Sequence, residues 1–338
     1  MGRKQKVVAD PLKLRGKLTV LLLVLSLIPL SAISTVTYMQ GEQRVRENIT
    51  GHLRSIVEKD AGLINSFLAE RLADLNVLSE VALLGGMTES ENLSAAMRAL
   101  RKEYKVYQRL SIVDPNGGII ATNGTGSLEK AGTPEAEWFR AASSGRDYIS
   151  DVFMSRDETL PLLIMSTGIT GPDGRMQGVA TARIDFSYVD RFLRAMELGK
   201  TGEAYLINKH GYFLTRSRLG GRILKDRIPS DQEQFYLGES GVSEHIDYRG
   251  KKVLSALQWV PSRDWVLVAE QDSDEAFKRV RSFRVISIGM GAGVALLVIV
   301  VSFFVSGKIE GYLKRSYDEV VSLKKYSEDT INSMPLSV

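Results

Sequence analysis

The chain contains no cysteine. That excludes disulfides, thiolate metal sites and cysteine nucleophiles. Histidine is almost as scarce: His52, His210 and His245 are the three present, and they show no metal-ligand spacing. No carboxylate is joined to a histidine or serine in a recognisable catalytic order. Basic residues form no stripe with interleaved aromatics, so no nucleic-acid partner is indicated. The net charge of +4 sits mainly beside the apolar runs described next. The sequence therefore points to no catalytic residue, no metal and no cofactor.

What is present is a pair of uncharged apolar runs, Leu18 to about Tyr38 and Val285 to about Ser306. Each is long enough, at 1.5 Å per helical residue, to cross a ~30 Å hydrocarbon core. Both are expected to be transmembrane helices, over 18–38 and 285–306. Arg3, Lys4, Lys6, Lys13, Arg15 and Lys17 precede the first against one acid, Asp10, which predicts a cytoplasmic N-terminus. A basic tail, an apolar run and the small residues Ser31, Ala32 and Ser34 also fit a cleaved secretory signal. Against that reading, the run exceeds a signal core in length, and Pro29 is tolerable in a span. Basic residues lie on both sides of the second run and do not decide its direction. With the first span as guide, 1–17 is a cytoplasmic tail, 40–284 lies outside a bacterial inner membrane, and 307–338 lies inside. Gly289 and Gly293 have a spacing that permits close helix approach, although glycine is common in spans generally.

Between the runs, Val45, Ile49, Leu53, Ile56, Leu63, Phe67, Leu72, Leu75 and Leu78 recur at three-or-four spacing and predict one helix over 41–84. A helix of that length needs a sheet or a second copy of itself against its apolar face. From Gln108 the period becomes that of strands. Leu110–Asp114 and Ile119–Thr122 flank Pro115-Asn116-Gly117-Gly118, and Leu162–Gly168 and Gly178–Asp185 flank Gly171-Pro172-Asp173-Gly174. Both are hairpin signals. Glu135–Ser144 between them reads as a helix. The form recurs in Ala204–Asn208 with Tyr212–Thr215, and in Lys252–Val260 with Trp265–Glu270. The expected fold class is α+β: a long N-terminal helix carrying two tandem antiparallel-sheet modules, distal (85–195) and proximal (200–272), flanked by the two spans.

Five blocks in order then carry a specific likeness: Trp138-Phe139-Arg140-Ala141-Ala142, Tyr148 to Phe153, the strand Gly178 to Asp185, Gly199-Lys200-Thr201-Gly202-Glu203-Ala204-Tyr205-Leu206-Ile207, and Trp265-Val266-Leu267-Val268. Over residues 40–280 the chain resembles the double Cache sensor domain of bacterial transmembrane receptors. The resemblance implies two PAS-like sheets, with the ligand on the distal one. The amino-acid-binding version of that family carries an arginine where this chain has Ala136 and a tyrosine where it has Phe139. Its later tyrosine and carboxylate align with Phe153 and Ser155, and only the strand acid survives, as Asp185. An α-amino acid needs a cation for its carboxylate and acceptors for its ammonium. The expected ligand is therefore a small molecule other than a typical amino acid.

Arg183 and Asp185 are two apart on a strand and share a face. They read either as a pocket pair or as a structural ion pair, and the resemblance favours the pocket for Asp185. Trp138, Phe139, Tyr148 and Phe153 read as an apolar pocket wall or as core. Arg140 and Arg156 could hold a carboxylate or phosphate through a planar fork, or could simply be solvated.

After the second run, Leu313, Tyr317, Val320 and Ile331 form a seam expected to pair with that of a second copy in a homodimer. Glu328 to Val338 looks like the entrance to a cytoplasmic PAS domain. The chain thus reads as the N-terminal part of a longer receptor, with membrane lipid as a neighbour. The predicted output is a histidine kinase that autophosphorylates on histidine and passes the phosphoryl group to a response regulator. A diguanylate cyclase, a chemoreceptor, and a non-signalling two-span adhesin or assembly protein are the alternatives.

Overall fold

The computed structural model describes residues 11–86, 88, 91–124, 135–238 and 240–332. It divides into two units: Arg46–Ala276, and the chain ends Met1–Val45 with Phe277–Val338.

Helix α1 spans Pro11–Leu84. Within the Arg46–Ala276 unit its buried positions are Leu53, Val57, Ala61, Ile64, Leu68, Leu75, Leu78 and Ala82, a three-four repeat. This seam runs beside the expected one. Leu63 is exposed, while Asp60 and Arg71 are buried. Arg71 is tolerated because its guanidinium lies 3.8 Å from the centre of the Tyr104 ring and its Nε is 3.3 Å from Asp74. Asp74 in turn accepts the Tyr107 hydroxyl at 2.6 Å. A paired charge stacked on an aromatic ring can be buried at modest cost. A short helix that the sequence reading missed, α2 (Glu91–Glu103), buries Leu93 and Met97.

The first sheet comprises β1 (Tyr107–Val113), β2 (Ile119–Gly124), β3 (Tyr148–Ile149), β4 (Phe153–Met154), β5 (Pro161–Thr170) and β6 (Met176–Asp185). Its order is β2-β1-β6-β5-β3, with β4 also on β5, and every pairing is antiparallel. Both expected hairpins form. In the first, Asp114 Oδ1 accepts the amides of Asn116 and Gly118, each at 2.8 Å, and Gly117 takes the positive φ of 86° that the turn requires. Helix α3 (Glu137–Ser143) lies on β5: Ser166 donates its hydroxyl to the Trp138 carbonyl at 2.8 Å.

Helix α4 (Ser187–Arg194) leads to the second sheet, made of β7 (Glu203–Asn208), β8 (Gly241–Ile246), β9 (Lys252–Trp259) and β10 (Trp265–Asp272) in the order β7-β10-β9-β8. Tyr212–Thr215, expected as a strand, contributes only isolated bridges. The chain there instead folds over the sheet, burying Phe213, Ile228 and Tyr236 against Tyr205, Ile207, Leu257, Val266 and Val268. Short helices α5 (Glu233–Tyr236) and α6 (Ser273–Ala276) complete the unit. The two sheets are tied together. Arg263 donates to the Ile149 carbonyl at 2.7 Å, and the Trp265 indole N–H donates to Asp151 at 2.6 Å. On α4, fully buried Asp190 accepts the Arg216 amide and guanidinium.

The other unit holds the start of α1 and helix α7 (Lys278–Asn332). The described residues include two helices long and apolar enough to cross a membrane by length and composition, Leu23–Leu84 and Val280–Asp329. Arg284 lies 5.7 Å from the Tyr38 ring centre. A Cβ at Gly289 or Gly293 would meet nothing within 4 Å, so neither glycine serves a close helix approach within this chain. Tyr317 and Val320 of the expected seam are exposed. The expected PAS entrance runs past Asn332, where its last six residues lie outside the described residues.

Candidate ligand-binding site

The register of the first sheet fixes which side chains share the α3-bearing face, because directly paired residues point the same way. One row runs Thr122, Ser111, Thr181, Ser166, Tyr148 across β2, β1, β6, β5 and β3. Next to it lie Arg109, Arg183 and Ile164 on β1, β6 and β5, and beyond them Asp185, Leu162 and Phe153 on β6, β5 and β4. The opposite face is mainly apolar and buried, with Leu110, Ile112, Ala182 and Ile184.

At the α3 end, Trp138 and Phe139 meet edge to face at 5.7 Å and pack with Val113, Ala142 and Val179, against which half-buried Tyr148 and Ile164 rest. Gly168 admits this close approach, since a Cβ there would lie 2.5 Å from the Ala142 carbonyl oxygen. Tyr148 donates to Glu137 at 3.1 Å. Burial, reinforced by that bond, pushes its hydroxyl up to about 12. The register thus puts Tyr148, Phe153, Arg183 and Asp185 on the sheet face against which α3 packs Trp138 and Phe139. It does not bring in Arg140, which is exposed on α3, or Arg156, which is exposed in the 155–160 turn.

Arg183 and Asp185 are half-buried but form no ion pair with each other. Asp185 instead accepts the Ser187 amide at 2.8 Å, an Asx turn leading into α4. Facing Arg183 across the β1–β6 ladder is Arg109, which the sequence reading did not single out. Period-two alternation back from Val113 through Ser111 reaches it, but the pairing of β1 with β6 is not visible in the sequence.

A long helix carrying two antiparallel sheets, with a polar row on the α3-bearing face of the first, is the architecture of a tandem sensory domain. The chain belongs to the Cache domain family, whose model matches residues 41–280, and it is a double Cache domain. A comparison with curated proteins gives no match. Among solved structures, the ligand-binding domain of the Pseudomonas aeruginosa amino-acid chemoreceptor PctB, in complex with L-arginine, aligns with a TM-score of 0.55 at 18% identity, over 68% of this chain and 98% of that one. The domain of PctC from the same organism, in complex with GABA, gives 0.53 at 18%, over 66% and 99%. The extracellular domain of rpHK1S-Z16, a candidate histidine kinase, gives 0.56 at 16%, over 67% and 95%. At these identities the likeness is one of fold.

Proposed function

We propose that this chain is the sensing part of a bacterial transmembrane receptor. In this reading, helices over 18–38 and 285–306 cross the inner membrane and 40–284 stands outside as two PAS-like modules. A small molecule other than a typical amino acid binds the α3-bearing face of the distal sheet. Trp138, Phe139, Tyr148 and Phe153 form its apolar wall, and Arg183 and Asp185 its polar contacts. Arg140 and Arg156 lie further out and would reach the ligand only after rearrangement. The receptor works as a homodimer and passes its signal through 307–338 to a cytoplasmic histidine kinase. A ligand biases such a switch only through its differential affinity for two states.

The observation that carries this reading is the placement of Arg183 and Asp185. A charged, half-buried pair not bonded to each other lies on the same sheet face as Tyr148 and Phe153, the face against which α3 packs Trp138 and Phe139.

The test is a thermal-shift screen of the full chain in lipid nanodiscs against small metabolites, since a bound ligand raises the midpoint by mass action. Asp185→Asn keeps the acceptor for the Ser187 amide and removes the charge. It should abolish the shift of a true ligand while leaving the unliganded midpoint within a degree or two. A ligand whose shift survives both Asp185→Asn and Arg183→Gln binds elsewhere, and the distal-face assignment then fails. Fusion of the chain to a kinase catalytic core, with autophosphorylation read against ligand, tests the output.

A further inference from the structure

Arg109 and Arg183 face each other on adjacent strands. Like charges directly opposed across a ladder destabilise it, so such a pair usually has an acid nearby. Among the described residues neither guanidinium has a carboxylate within ion-pair distance. The Nε of Arg109 is buried and makes no hydrogen bond. Burial, together with the neighbouring Arg183, depresses the Arg109 pKa. The flanking strand positions supply no carboxylate: Ile164 faces Arg183 in the same row, the Ser111 hydroxyl is bonded to Thr122 at 2.9 Å, and that of Thr181 is given to the Met165 carbonyl at 3.1 Å. Asp185, the one acid on the described strands of this face, accepts the Ser187 amide through Oδ1.

We infer that Arg109 and Arg183 together form an oxyanion site, and that the ligand of the distal sheet carries a compact anionic group, a carboxylate or a phosphate, held between the two guanidiniums. This rests on the distal-face reading above and adds the chemical class of the ligand. Two planar forks set side by side provide more donors than one monodentate oxygen can use, so they suit a group with two or three acceptor oxygens. The ligand's charge also relieves the repulsion that the empty pair carries. The departures at Ala136 and Phe139, taken alone, indicate a pocket without a cation for a carboxylate. Arg109 and Arg183 supply one from the strands instead of from α3 and its approach.

The experiment uses the full chain in nanodiscs at constant ionic strength. Inorganic phosphate, malonate and succinate are compared with malonamide and succinamide, by midpoint shift and by calorimetry. At least one oxyanion should raise the midpoint by several degrees while its amide does not. The phosphate and dicarboxylate arms identify which oxyanion is preferred. Arg109→Gln and Arg183→Gln should each weaken that binding by at least about tenfold, with an unliganded midpoint unchanged or higher. Arg175→Gln, an exposed turn residue, should change nothing. If no oxyanion shifts the midpoint, or the amides work equally well, the anion assignment is overturned. If only neutral or cationic compounds bind, and Asp185→Asn abolishes them, the distal-face reading stands without it. If oxyanion binding survives both glutamine variants, the anion lies elsewhere and both readings fall.

Discussion

Glu203 and Glu270 stand directly opposite each other on β7 and β10, both buried, with 2% and 0% exposure. Glu203 accepts from the hydroxyls of Ser217 and Tyr248 and from the Leu219 amide. Glu270 pairs with the Tyr236 hydroxyl at 3.2 Å. Burial first, and then the charges of Glu203 and Asp247, push the Glu270 carboxyl well above its ordinary value, so that it holds its proton. A folded-state pKa above the unfolded value means that the native state binds the extra proton. The stability this contributes is full below about pH 4.5 and is lost as pH rises through the folded pKa. Glu270→Gln should therefore raise the urea midpoint at pH 8 and remove the alkaline-side decline. A lowered midpoint at pH 8 would show that the ionised carboxylate is the stabilising form.

His245, on β8, behaves in the opposite sense. Its ring lies edge to face against Tyr236 at 5.0 Å, and burial brings it down to about 4. The unfolded chain protonates first, so this contribution is complete above about pH 6.5 and disappears as pH falls toward the folded value. His245→Leu should flatten the stability profile between pH 6.5 and 4. The slope removed should total about 2 kcal/mol once partial solvent access is allowed for. Denaturant titrations across that window measure it.

Glu275 holds the turn that enters β7. It accepts the amides of Lys200 and Thr201 at 2.9 and 2.7 Å and the Thr201 hydroxyl at 2.6 Å. Burial acts to raise it, but these bonds outweigh burial and bring it down to about 2. Its contribution is present above about pH 4.5 and lost as pH falls through the folded value. Glu275→Ala removes the shared acceptor of these three hydrogen bonds and should cost about 1–2 kcal/mol at pH 7, read as a fall in thermal midpoint.

Gly202 ends that same turn. A Cβ there would lie 1.9 Å from the Leu198 carbonyl oxygen, which is backbone and cannot swing aside. Gly202→Ala should destabilise the domain by about 3 kcal/mol or more. Gly174→Ala should cost less, about 1 kcal/mol, because it has positive φ but nothing within 4 Å. Comparing the two midpoints separates steric overlap from backbone strain.

These turns also show what the sequence could and could not reveal. Asp114 with Gly117, and Gly171 with Gly174, are local devices, so both hairpins and all four of their strands were legible. The long helix was legible too, but its buried seam only in part: Leu53, Leu75 and Leu78 are buried as expected. Hydropathy selects Leu63, whereas the fold buries Arg71 because Tyr104, Tyr107 and Asp74 surround it, and that company is assembled from distant positions. The segment 212–215 alternates like a strand yet serves as a cover, since Phe213 and Tyr236 are needed on top of the second sheet. For the candidate site, the sequence reading singled out Trp138, Phe139, Tyr148, Phe153, Arg183 and Asp185, which the fold gathers on or over one sheet face, along with Arg140 and Arg156, which it leaves exposed. Arg109 was not among them, because a cross-strand pairing between residues 109 and 183 leaves no local trace.

Tyr107 and Arg109 sit two positions apart on β1, on either side of a register shift, and point to opposite faces of the sheet. Tyr107 is anchored by its buried hydroxyl to Asp74 of α1, whereas Arg109 faces the candidate site. A strand is close to inextensible, so β1 acts as a short crossbar, fastened to the helix at one end and open to an occupant at the other. Asp74 on the helix and the face that carries Arg109 are thereby joined through two residues of one strand, about 7 Å. The register shift at Gln108 turns the two side chains to opposite faces, so that one short strand serves both the helix and the candidate site.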